Sequence, residues 1–390
     1  SKNMKMKSLI KAGLALSSSS ILHNVYVGIE DGRINVLTNE LPQDFEDAEL
    51  IIGNWDRVIC PSFVIIHSSI FFFPFRFRIF SGKLNPYDIL SIATPNDAYY
   101  FAILAAYHLL KTGVTTVVFS DPFPESIARG IMAVGIRPVI AVGVGCPFSS
   151  EDWEKEFLSL YNRWSSTSQP SVILKLCDIT RAKEVFEFSR NYNIPVLVDS
   201  IVDLSKVPRN LLSKNIIALG GCSRRDLDII RQFNIKLSTN PSIEICNFTL
   251  GAERPSISLD LVPSYDVRNL LNIATSRLLL TPEEAFKSVT LWGYEQLGMK
   301  DFGEIKIGNV ADLLVFSYNE PLSLPIDRDA PYETLVFSAY NLESVLVNGE
   351  AILDGGVPLN VGMKDIEKAM ERVSEVDRKY KNLEKNRNIR

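Results

Sequence analysis

Three residues of types that bind metal ions each stand at the end of a short apolar run. His67 follows the run from Val58 to Ile66, and Asp199 and Asp260 close two later runs of the same kind. If these runs are strands of one barrel, one imidazole and two carboxylates meet there, a reasonable site for manganese, ferrous iron or magnesium. The alternative for His67 is structural, because it could simply cap the end of a buried strand.

Three cysteines also follow apolar runs: Cys146, Cys177 and Cys222. They could form a shared thiol site, but free cysteine is among the residue types most often buried without a function. The chain has five cysteines and no C-x-x-C pair, which predicts free thiols rather than a disulfide framework. We therefore expect a reducing compartment, the cytoplasm.

Lys175 lies inside the apolar run V-I-L-K-L-C. Burying an unpaired charge is costly, so an inward lysine needs a partner. Pairing with Asp199 or Asp260 would satisfy Lys175 and would neutralise a carboxylate at the same end of the strands.

From Val58 onward the sequence alternates short apolar runs with longer helical stretches. Eight such units match the size of a (β/α)8 TIM barrel, in which the carboxyl ends of the strands carry the chemistry. A doubly wound α/β sheet is the alternative. The predicted strands are Val58–Ile66, Thr115–Ser120, Pro138–Val144, Ser171–Leu176, Pro195–Asp199, Ile216–Leu219, Ile235–Thr239 and Ser256–Asp260.

Both ends of the chain have β character. We expect residues 1–57 and 303–360 to combine in a small β-sandwich, residues 58–302 to form the barrel, and residues 361–390 to form a charged helical tail. The strands predicted in the C-terminal segment are Asp312–Phe316, Leu335–Phe337, Ser344–Val347 and Glu350–Leu353.

The composition excludes some partners. The net charge is -5 and the basic residues form no stripe, which argues against nucleic acid. The longest apolar segment, Val58 to Phe80, is interrupted by prolines, a histidine and arginines, so it lacks the roughly 18 uninterrupted apolar residues of a membrane span. We expect a small-molecule ligand instead.

Several motifs resemble one family. The segments V-I-C-P-S-F-V-I-I-H-S-S, L-T-P-E-E-A-F-K-S-V-T-L-W-G and G-E-I-K-I-G-N-V-A-D-L-L-V-F are similar to motifs of the amidohydrolase superfamily. The likeness is greatest to its branch of cytosine deaminase-like, chlorohydrolase-like and adenosine-derivative deaminases. It implies a barrel flanked by a β domain, and hydrolysis of non-peptide C–N bonds.

The resemblance further implies a divalent metal ion, zinc, manganese or iron, at the barrel mouth. The family holds it with two histidines of an H-x-H after strand one, a histidine after strand five and an aspartate after strand eight. The metal acidifies a bound water, while a glutamate and a further histidine move protons. His67 and Asp260 match two of these positions, and Asp260 is the predicted catalytic residue. The positions that differ are held by Ser69, Asp199, Val202 and Gly221.

These replacements predict an amidohydrolase-type protein whose hydrolytic reaction is lost or greatly altered. The proton-transfer glutamate and the metal ligands each contribute several powers of ten in rate. Two alternatives stay open: an active hydrolase with a reduced metal site of His67, Asp199 and Asp260, and a non-catalytic small-molecule-binding or partner-subunit protein. The cofactor is accordingly one divalent ion or none. Ser69 and Asn240 are the predicted substrate-binding residues.

The segment Phe71 to Phe80, F-F-F-P-F-R-F-R-I-F, follows the histidine motif. Its phenylalanines could plug the space of a lost metal site, form the contact of a homodimer, or lie against lipid. Arg76 and Arg78 are expected to alternate outward. The predicted assembly is a homodimer.

Overall fold

The described residues form two eight-stranded sheets. The computed structural model describes residues 6–165, 170–248, 253–261, 263–318, 321–338 and 341–389. In chain order the strands are β1 (Lys7–Leu16), β2 (Ile21–Glu30), β3 (Arg33–Thr38), β4 (Leu50–Pro61), β5 (Phe63–Ser68), β6 (Val114–Phe119), β7 (Arg137–Val144), β8 (Val172–Leu176), β9 (Val196–Val198), β10 (Ile216–Leu219), β11 (Lys236–Thr239), β12 (Ser256–Ile257), β13 (Leu313–Ser317), β14 (Asn341–Val347), β15 (Glu350–Asp354) and β16 (Val357–Pro358).

The helices lie mainly between strands β5 to β12. Several begin with the expected signals, such as proline in the first turn or a capping box, as at Thr94 and Thr281. In chain order they are α1 (Arg76–Phe80), α2 (Pro86–Ile92), α3 (Pro95–Lys111), α4 (Pro124–Val134), α5 (Trp153–Trp164), α6 (Ala182–Tyr192), α7 (Leu227–Gln232), α8 (Val267–Arg277), α9 (Pro282–Ser288), α10 (Leu291–Gln296), α11 (Pro331–Phe337) and α12 (Met363–Ile389).

Strands β5 to β12 form a parallel sheet in which each strand pairs with the next in sequence. A bridge between Ser68 and Asp260 brings the chain after β12 back to β5, so the sheet is a nearly closed barrel. The predicted (β/α)8 barrel is confirmed. Between β9 and β10 the pattern predicts a helix, but the chain forms two short 3-10 turns instead. Pro208 lies between the two turns, and a proline inside a helix would interrupt it.

The second sheet joins both ends of the chain, as predicted. Its strand order is β16-β15-β14-β13-β4-β1-β2-β3. A further antiparallel bridge from Arg33 in β3 to Val310, just before β13, folds this sheet over itself. Residues of β13 alternate between its two sides: Leu313 and Val315 pack inside the folded sheet, whereas Leu314 and Phe316 pack against the barrel.

Two predicted strands are corrected by the structure. The run Val58–Ile66 is not one strand, because residues up to Pro61 belong to β4 of the terminal sheet and only β5 enters the barrel. The run Leu335–Phe337 lies in helix α11, which starts at Pro331 and buries Leu335 while Phe337 is exposed. A three-residue apolar run cannot distinguish a strand from one side of a short helix.

The helix predicted near the C-terminus is present and packs on the barrel helix α3. Ala369, Val376 and Tyr380 of α12 are buried. Arg372 donates to the fully buried carboxylate of Asp97, with Nε to Oδ1 at 2.7 Å. None of the described helices is both long and apolar enough to cross a membrane.

Four cysteines form two disulfides, so the prediction of free thiols is wrong. Cys146 pairs with Cys177, and Cys222 pairs with Cys246, while Cys60 is free and buried. Each bond joins loops that follow neighbouring barrel strands, which the fold brings together although they are distant in sequence. The shared thiol site is therefore absent among these residues, because their sulfurs are used in pairs.

Removing the Cys146–Cys177 bond should destabilise the fold. A cross-link between positions 31 residues apart restricts the unfolded chain, and its loss should cost about 3–4 kcal/mol of unfolding free energy. Guanidinium denaturation of the Cys146→Ser/Cys177→Ser variant measures this. The matched variant Cys222→Ser/Cys246→Ser should lose a similar amount. Equal stability of oxidised and reduced wild type would contradict the assignment.

Candidate functional site

His67, Lys175 and Asp260 form one hydrogen-bonded line at the mouth of the barrel. Nδ1 of His67 lies 2.6 Å from Oδ1 of Asp260, and Nε2 lies 3.0 Å from Nζ of Lys175. A lysine ammonium can only donate, so Nε2 accepts from it and Nδ1–H donates to Asp260. Both ring nitrogens are thus occupied, and the imidazole is neutral.

The barrel strands bring these residues together. His67 and Lys175 each stand one residue before the end of a strand, β5 and β8, and Asp260 follows β12. The Asp260 backbone has φ of 51°, a left-handed conformation that aspartate tolerates better than most residues. Its carbonyl accepts from the N–H of Ser69 at 3.1 Å, which keeps the two strand ends together.

Burial and charge determine the protonation of these three side chains. Burial lowers the pKa of His67, and the charge of Lys175 lowers it further. Burial also lowers the pKa of Lys175, although the carboxylates of Asp199 and Asp260 oppose that shift. Burial alone would raise the pKa of Asp260, but the hydrogen bond and the electrostatic effect of His67, the hydrogen bond from Asn240 and the charge of Lys175 together outweigh burial and leave this pKa lowered. These directions agree with a neutral imidazole beside an ionised Asp260.

Asn240, a predicted substrate-binding residue, holds Asp260 in place. Its Nδ2 donates to Oδ2 of Asp260 at 3.2 Å and to the carbonyl of Leu259 at 2.9 Å. Its Oδ1 accepts from the N–H of Ser242 at 2.9 Å, and the residue is fully buried. These contacts give Asn240 a positioning role; direct binding of a substrate stays a prediction.

Ser69, the other predicted substrate-binding residue, is tied to Asp121. Its hydroxyl donates to Oδ1 of Asp121 at 3.2 Å, and the same carboxylate accepts from the N–H groups of Ile70 and Phe71 at 2.9 and 3.3 Å. Burial raises the pKa of Asp121 to about 6. Asp121 therefore shapes the start of the loop after β5.

These contacts do not fit a divalent metal ion. Both ring nitrogens of His67 are already engaged, Nδ1 with Asp260 and Nε2 with the ammonium of Lys175. Asp199, the third predicted ligand, accepts from the N–H of Ile201 at 3.0 Å. Within the described ranges, no three His, Cys, Asp or Glu side chains are grouped to hold a metal ion. The positive charge at this position is supplied by the chain itself.

Comparison with known proteins finds one family profile and several similar enzymes. The sequence profile described as "Amidohydrolase family" matches residues 257–352. The chain is 23% identical to the 5'-deoxyadenosine deaminase of Methanocaldococcus jannaschii, over 91% of this chain and 98% of that protein. It is 25% identical to the 5-methylthioadenosine/S-adenosylhomocysteine deaminase of Thermodesulfovibrio yellowstonii, over 86% and 90%. The profile match and these relatives support a relationship to the amidohydrolase superfamily.

Solved amidohydrolase-type structures share the fold. The zinc-bound adenosine deaminase from Xanthomonas campestris superposes with a TM-score of 0.82 at 14% identity, covering 95% of this chain and 99% of that one. An atrazine chlorohydrolase from Arthrobacter aurescens, complexed with zinc, gives 0.80 at 12% identity, covering 94% and 100%. The zinc belongs to those proteins, and the likeness at this identity concerns the fold.

Two positions where the superfamily pattern has proton-transfer residues are filled differently here. Gly221 follows β10, and a β-carbon there would collide with Oε2 of Glu244 and with the hydroxyl of Thr239. The carboxylate of Glu244 thus takes the room of the expected histidine. Val202, in place of the glutamate, is buried. The structure therefore offers neither expected proton-transfer group at these two positions.

The phenylalanine-rich segment is mostly packed inside the fold. Phe71 and Phe75 are fully buried, and Phe73 packs edge-on against Tyr265 with ring centroids 5.1 Å apart. Arg76 does not point outward as predicted, because its guanidinium donates to the carbonyls of Phe73 and Pro263 at 2.9 and 3.0 Å. Arg78 likewise turns to Asp377 of α12, with Nη2 to Oδ1 at 2.7 Å.

Sequence reasoning missed Asp121 and Glu244 as parts of the site. Each follows a buried barrel strand, β6 and β11, by a few residues, so position relative to a strand end was an available signal. Lys175 was found, but its observed hydrogen-bond partner is His67 rather than a carboxylate.

Glu244 should make stability depend on pH. Burial raises its pKa from 4.5 to about 7, so the folded chain binds this proton more tightly than the unfolded chain. The stabilisation is fully present below pH 4.5 and is lost as the pH rises through about 7, a loss of about 3 kcal/mol at about 1.4 kcal/mol per pKa unit. Urea denaturation across this range, on wild type and Glu244→Gln, checks it.

The variant Glu244→Gln should flatten the curve of unfolding free energy against pH, because it removes the titrating group. The control Glu350→Gln changes an exposed residue at the start of β15 and should leave the curve as in wild type. A curve that is the same for Glu244→Gln and wild type would show that the carboxyl group of Glu244 is not responsible.

Proposed function

We propose that this amidohydrolase-like protein does not perform metal-dependent C–N hydrolysis, and that its barrel mouth binds a small neutral or positively charged molecule. The observation that carries the proposal is the hydrogen bond between Lys175 and Nε2 of His67. It puts an ammonium where a metal ion would need that nitrogen. Two cations cannot share this position, because their repulsion adds to the cost of desolvating both.

The replaced proton-transfer positions support the same proposal. Metal-dependent hydrolysis needs an activated water and a group that carries its proton to the leaving nitrogen. Gly221 and Val202 carry no ionisable side chain. The remaining buried acid near Gly221 is Glu244, whose carboxylate accepts from Thr239 and from the N–H of Asn240. Its contacts make it part of the wall of the barrel mouth.

The charge of the mouth selects the class of ligand. Asp121, Asp199 and Asp260 all act electrostatically on the single ammonium of Lys175. The carboxylates outnumber the ammonium, so an anionic ligand would be repelled, and a neutral or cationic one would be favoured. The Asp260 side chain is 31% exposed, so an incoming molecule can reach it.

Metal analysis together with an activity assay tests the proposal. After incubation with zinc, manganese or ferrous ion at neutral pH and removal of the excess, elemental analysis should find far less than one ion per chain. Deamination of 5'-deoxyadenosine and 5-methylthioadenosine should stay at the background rate with and without a chelator. A relative with the complete histidine set, assayed in parallel, provides the positive control.

Stoichiometric metal together with turnover that a chelator abolishes would overturn the proposal. That result would instead establish the active hydrolase with the reduced metal site of His67, Asp199 and Asp260, which requires Lys175 to leave the imidazole.

The predicted homodimer is proposed to use helix α1. Phe77 and Phe80 expose 59% and 63% of their surfaces, unlike the buried phenylalanines before them. If they form the contact, Phe77→Ser/Phe80→Ser should shift the molecular mass from dimer to monomer in light scattering, without loss of fold. Tyr192→Ser, an equally exposed site on α6, is the control. A variant that stays dimeric would exclude this surface.

We also propose that the protein is located in the cytoplasm. The original support for this location was the expectation of free thiols, which the two disulfides remove. Disulfides persist mainly in oxidising compartments, with intracellular proteins of hyperthermophiles as an exception. The cytoplasm is therefore consistent with this chain where the disulfides are not reduced.

A further inference from the structure

We propose that a cavity at the amino-terminal end of the barrel binds a small, mainly apolar carboxylic acid in its ionised form. The cavity has a volume of about 340 Å³ and lies between α7, the start of β11 and α10. It is at the opposite end of the barrel from His67 and Asp260, which stand at the carboxyl ends of β5 and β12. The site is therefore separate from the barrel mouth and does not depend on the chemistry proposed there.

The inner wall of the cavity is apolar. Ile230, Ile235, Leu237 and Trp292 line it, and at most 7% of each of these residues is exposed. A cavity of this size, with mainly apolar walls and a few polar groups, is the usual form of a small-molecule site. Trp292 supplies the largest apolar side chain of the wall. The part of the ligand that fits here is an apolar body of about the size of one ring.

Gln296 fixes the polar side of this wall. Its Nε2 donates to the carbonyls of Leu237 and Arg254 at 3.0 and 3.2 Å, and its Oε1 accepts from the hydroxyl of Ser256 at 2.6 Å. These bonds join the end of α10 to β11 and β12, so the cavity is preformed. Because both ends of the amide group are engaged, Gln296 holds the wall and leaves the recognition of a ligand to other side chains.

Lys236, the first residue of β11, supplies a positive charge to the cavity wall. Its Nζ donates to the carbonyl of Gln296 at 3.2 Å, and this uncharged group is its only hydrogen-bond acceptor among the described residues. An ammonium has three N–H donors, so two remain for a ligand. Lys236 and Gln296 also both line a neighbouring cavity of about 260 Å³, which places the ammonium between two open spaces.

A half-buried ammonium without an ionised partner favours an anionic ligand. Burial lowers the pKa of Lys236 and the charge of Lys214 lowers it further, whereas the charge of Glu295 opposes the shift. The positive charge is thus destabilised by its surroundings. A carboxylate that accepts hydrogen bonds from Nζ would replace the lost hydration of the ammonium and neutralise its charge.

The other charged side chains of the cavity also favour an anion. Arg231 and Arg254 line it with Lys236, whereas the acidic lining residues are Glu253 and Glu295. One of these acids is already paired, because Oε1 of Glu253 accepts from Nε of Arg231. The basic groups outnumber the acidic ones, and this balance attracts an anion and disfavours a cation.

Three probes test the ligand class on the full chain by titration calorimetry. Benzoate has both a ring and a carboxylate, benzamide has the same shape without the charge, and acetate has the charge without the ring. Benzoate should bind about tenfold more tightly than benzamide, because hydrogen bonds to a charged group are the stronger ones. It should exceed acetate by about tenfold as well, because the ring buries additional apolar surface.

Variants test the role of Lys236. Lys236→Met removes the charge and keeps most of the length of the side chain. It should weaken the binding of benzoate about tenfold and change that of benzamide by less than about twofold. The control Lys183→Met changes an exposed lysine of α6 that does not line the cavity, and it should leave both affinities as in wild type. Circular dichroism checks that each variant is folded.

Photochemical cross-linking tests the location. A benzoate that carries a diazirine group is irradiated with the protein, and the labelled peptides are identified by mass spectrometry. Labels should fall within residues 230–237 or 292–296, and an excess of benzoate should suppress them. The barrel mouth should stay unlabelled, because its carboxylates repel an anion.

Each contrary result overturns a defined part of the proposal. Equal affinities for benzoate and benzamide, or an affinity for benzoate that Lys236→Met does not change, would overturn the pairing of a carboxylate with Lys236. Acetate that binds as tightly as benzoate would overturn the apolar part of the ligand. Labels at the barrel mouth, or labels that excess benzoate does not suppress, would overturn the site itself.

Discussion

The barrel closes where β5 meets the chain after β12, and this contact also builds the candidate site. The N–H of Leu259 donates to the carbonyl of His67 at 2.8 Å, and the Tyr265 hydroxyl lies 2.5 Å from the carbonyl of Ser69 and 3.0 Å from that of Asp260. The side chains of His67 and Asp260 form a hydrogen bond across the same junction between β5 and the chain after β12. The same contacts that close the sheet therefore also align the imidazole of His67 with Asp260.

The half-buried Lys175, next to the contact that closes the barrel, changes what the site can do. A metal ion and an ammonium both neutralise carboxylates, but the ammonium offers only hydrogen-bond donors and cannot coordinate and acidify water. It is also covalently part of the chain, so its charge is present without any cofactor. Burying it is costly unless it is paired, and the contact with His67 and the nearby carboxylates meet that requirement.

The terminal sheet helps to position β5, the strand at which the barrel closes. Strand β4 leads into β5 with Ser62 between them, and the N–H of Ser62 donates to the carbonyl of Asp312 at 3.1 Å. The carboxylate of Asp312 accepts from Arg137 of β7 at 2.6 Å and from the N–H of Asn348 at 2.9 Å. Asp312 belongs to the A-D-L motif of the superfamily resemblance, so that motif joins the two sheets.

Most of the fold could be predicted from the sequence, because the signals are local. Apolar runs of strand length recur at intervals that fit a barrel, and motifs such as G-N-V-A-D-L-L-V-F identify the terminal sheet. The boundary between the two sheets at Ser62 was missed, because a continuous apolar run does not show where one sheet ends and the next begins. The helix at Leu335 was missed, because a very short apolar run does not distinguish the periodicity of a helix from that of a strand.

The sequence by itself determined that His67 and Asp260 stand at strand ends of a (β/α)8 barrel, and that other residues implied by the amidohydrolase resemblance are absent. Only the tertiary structure decided that Lys175, 108 residues from His67, donates to its ring, that the cysteines pair, and that Glu244 fills the room beside Gly221. These are contacts between distant segments. They depend on strand order and side-chain direction in the closed barrel, which no local pattern contains.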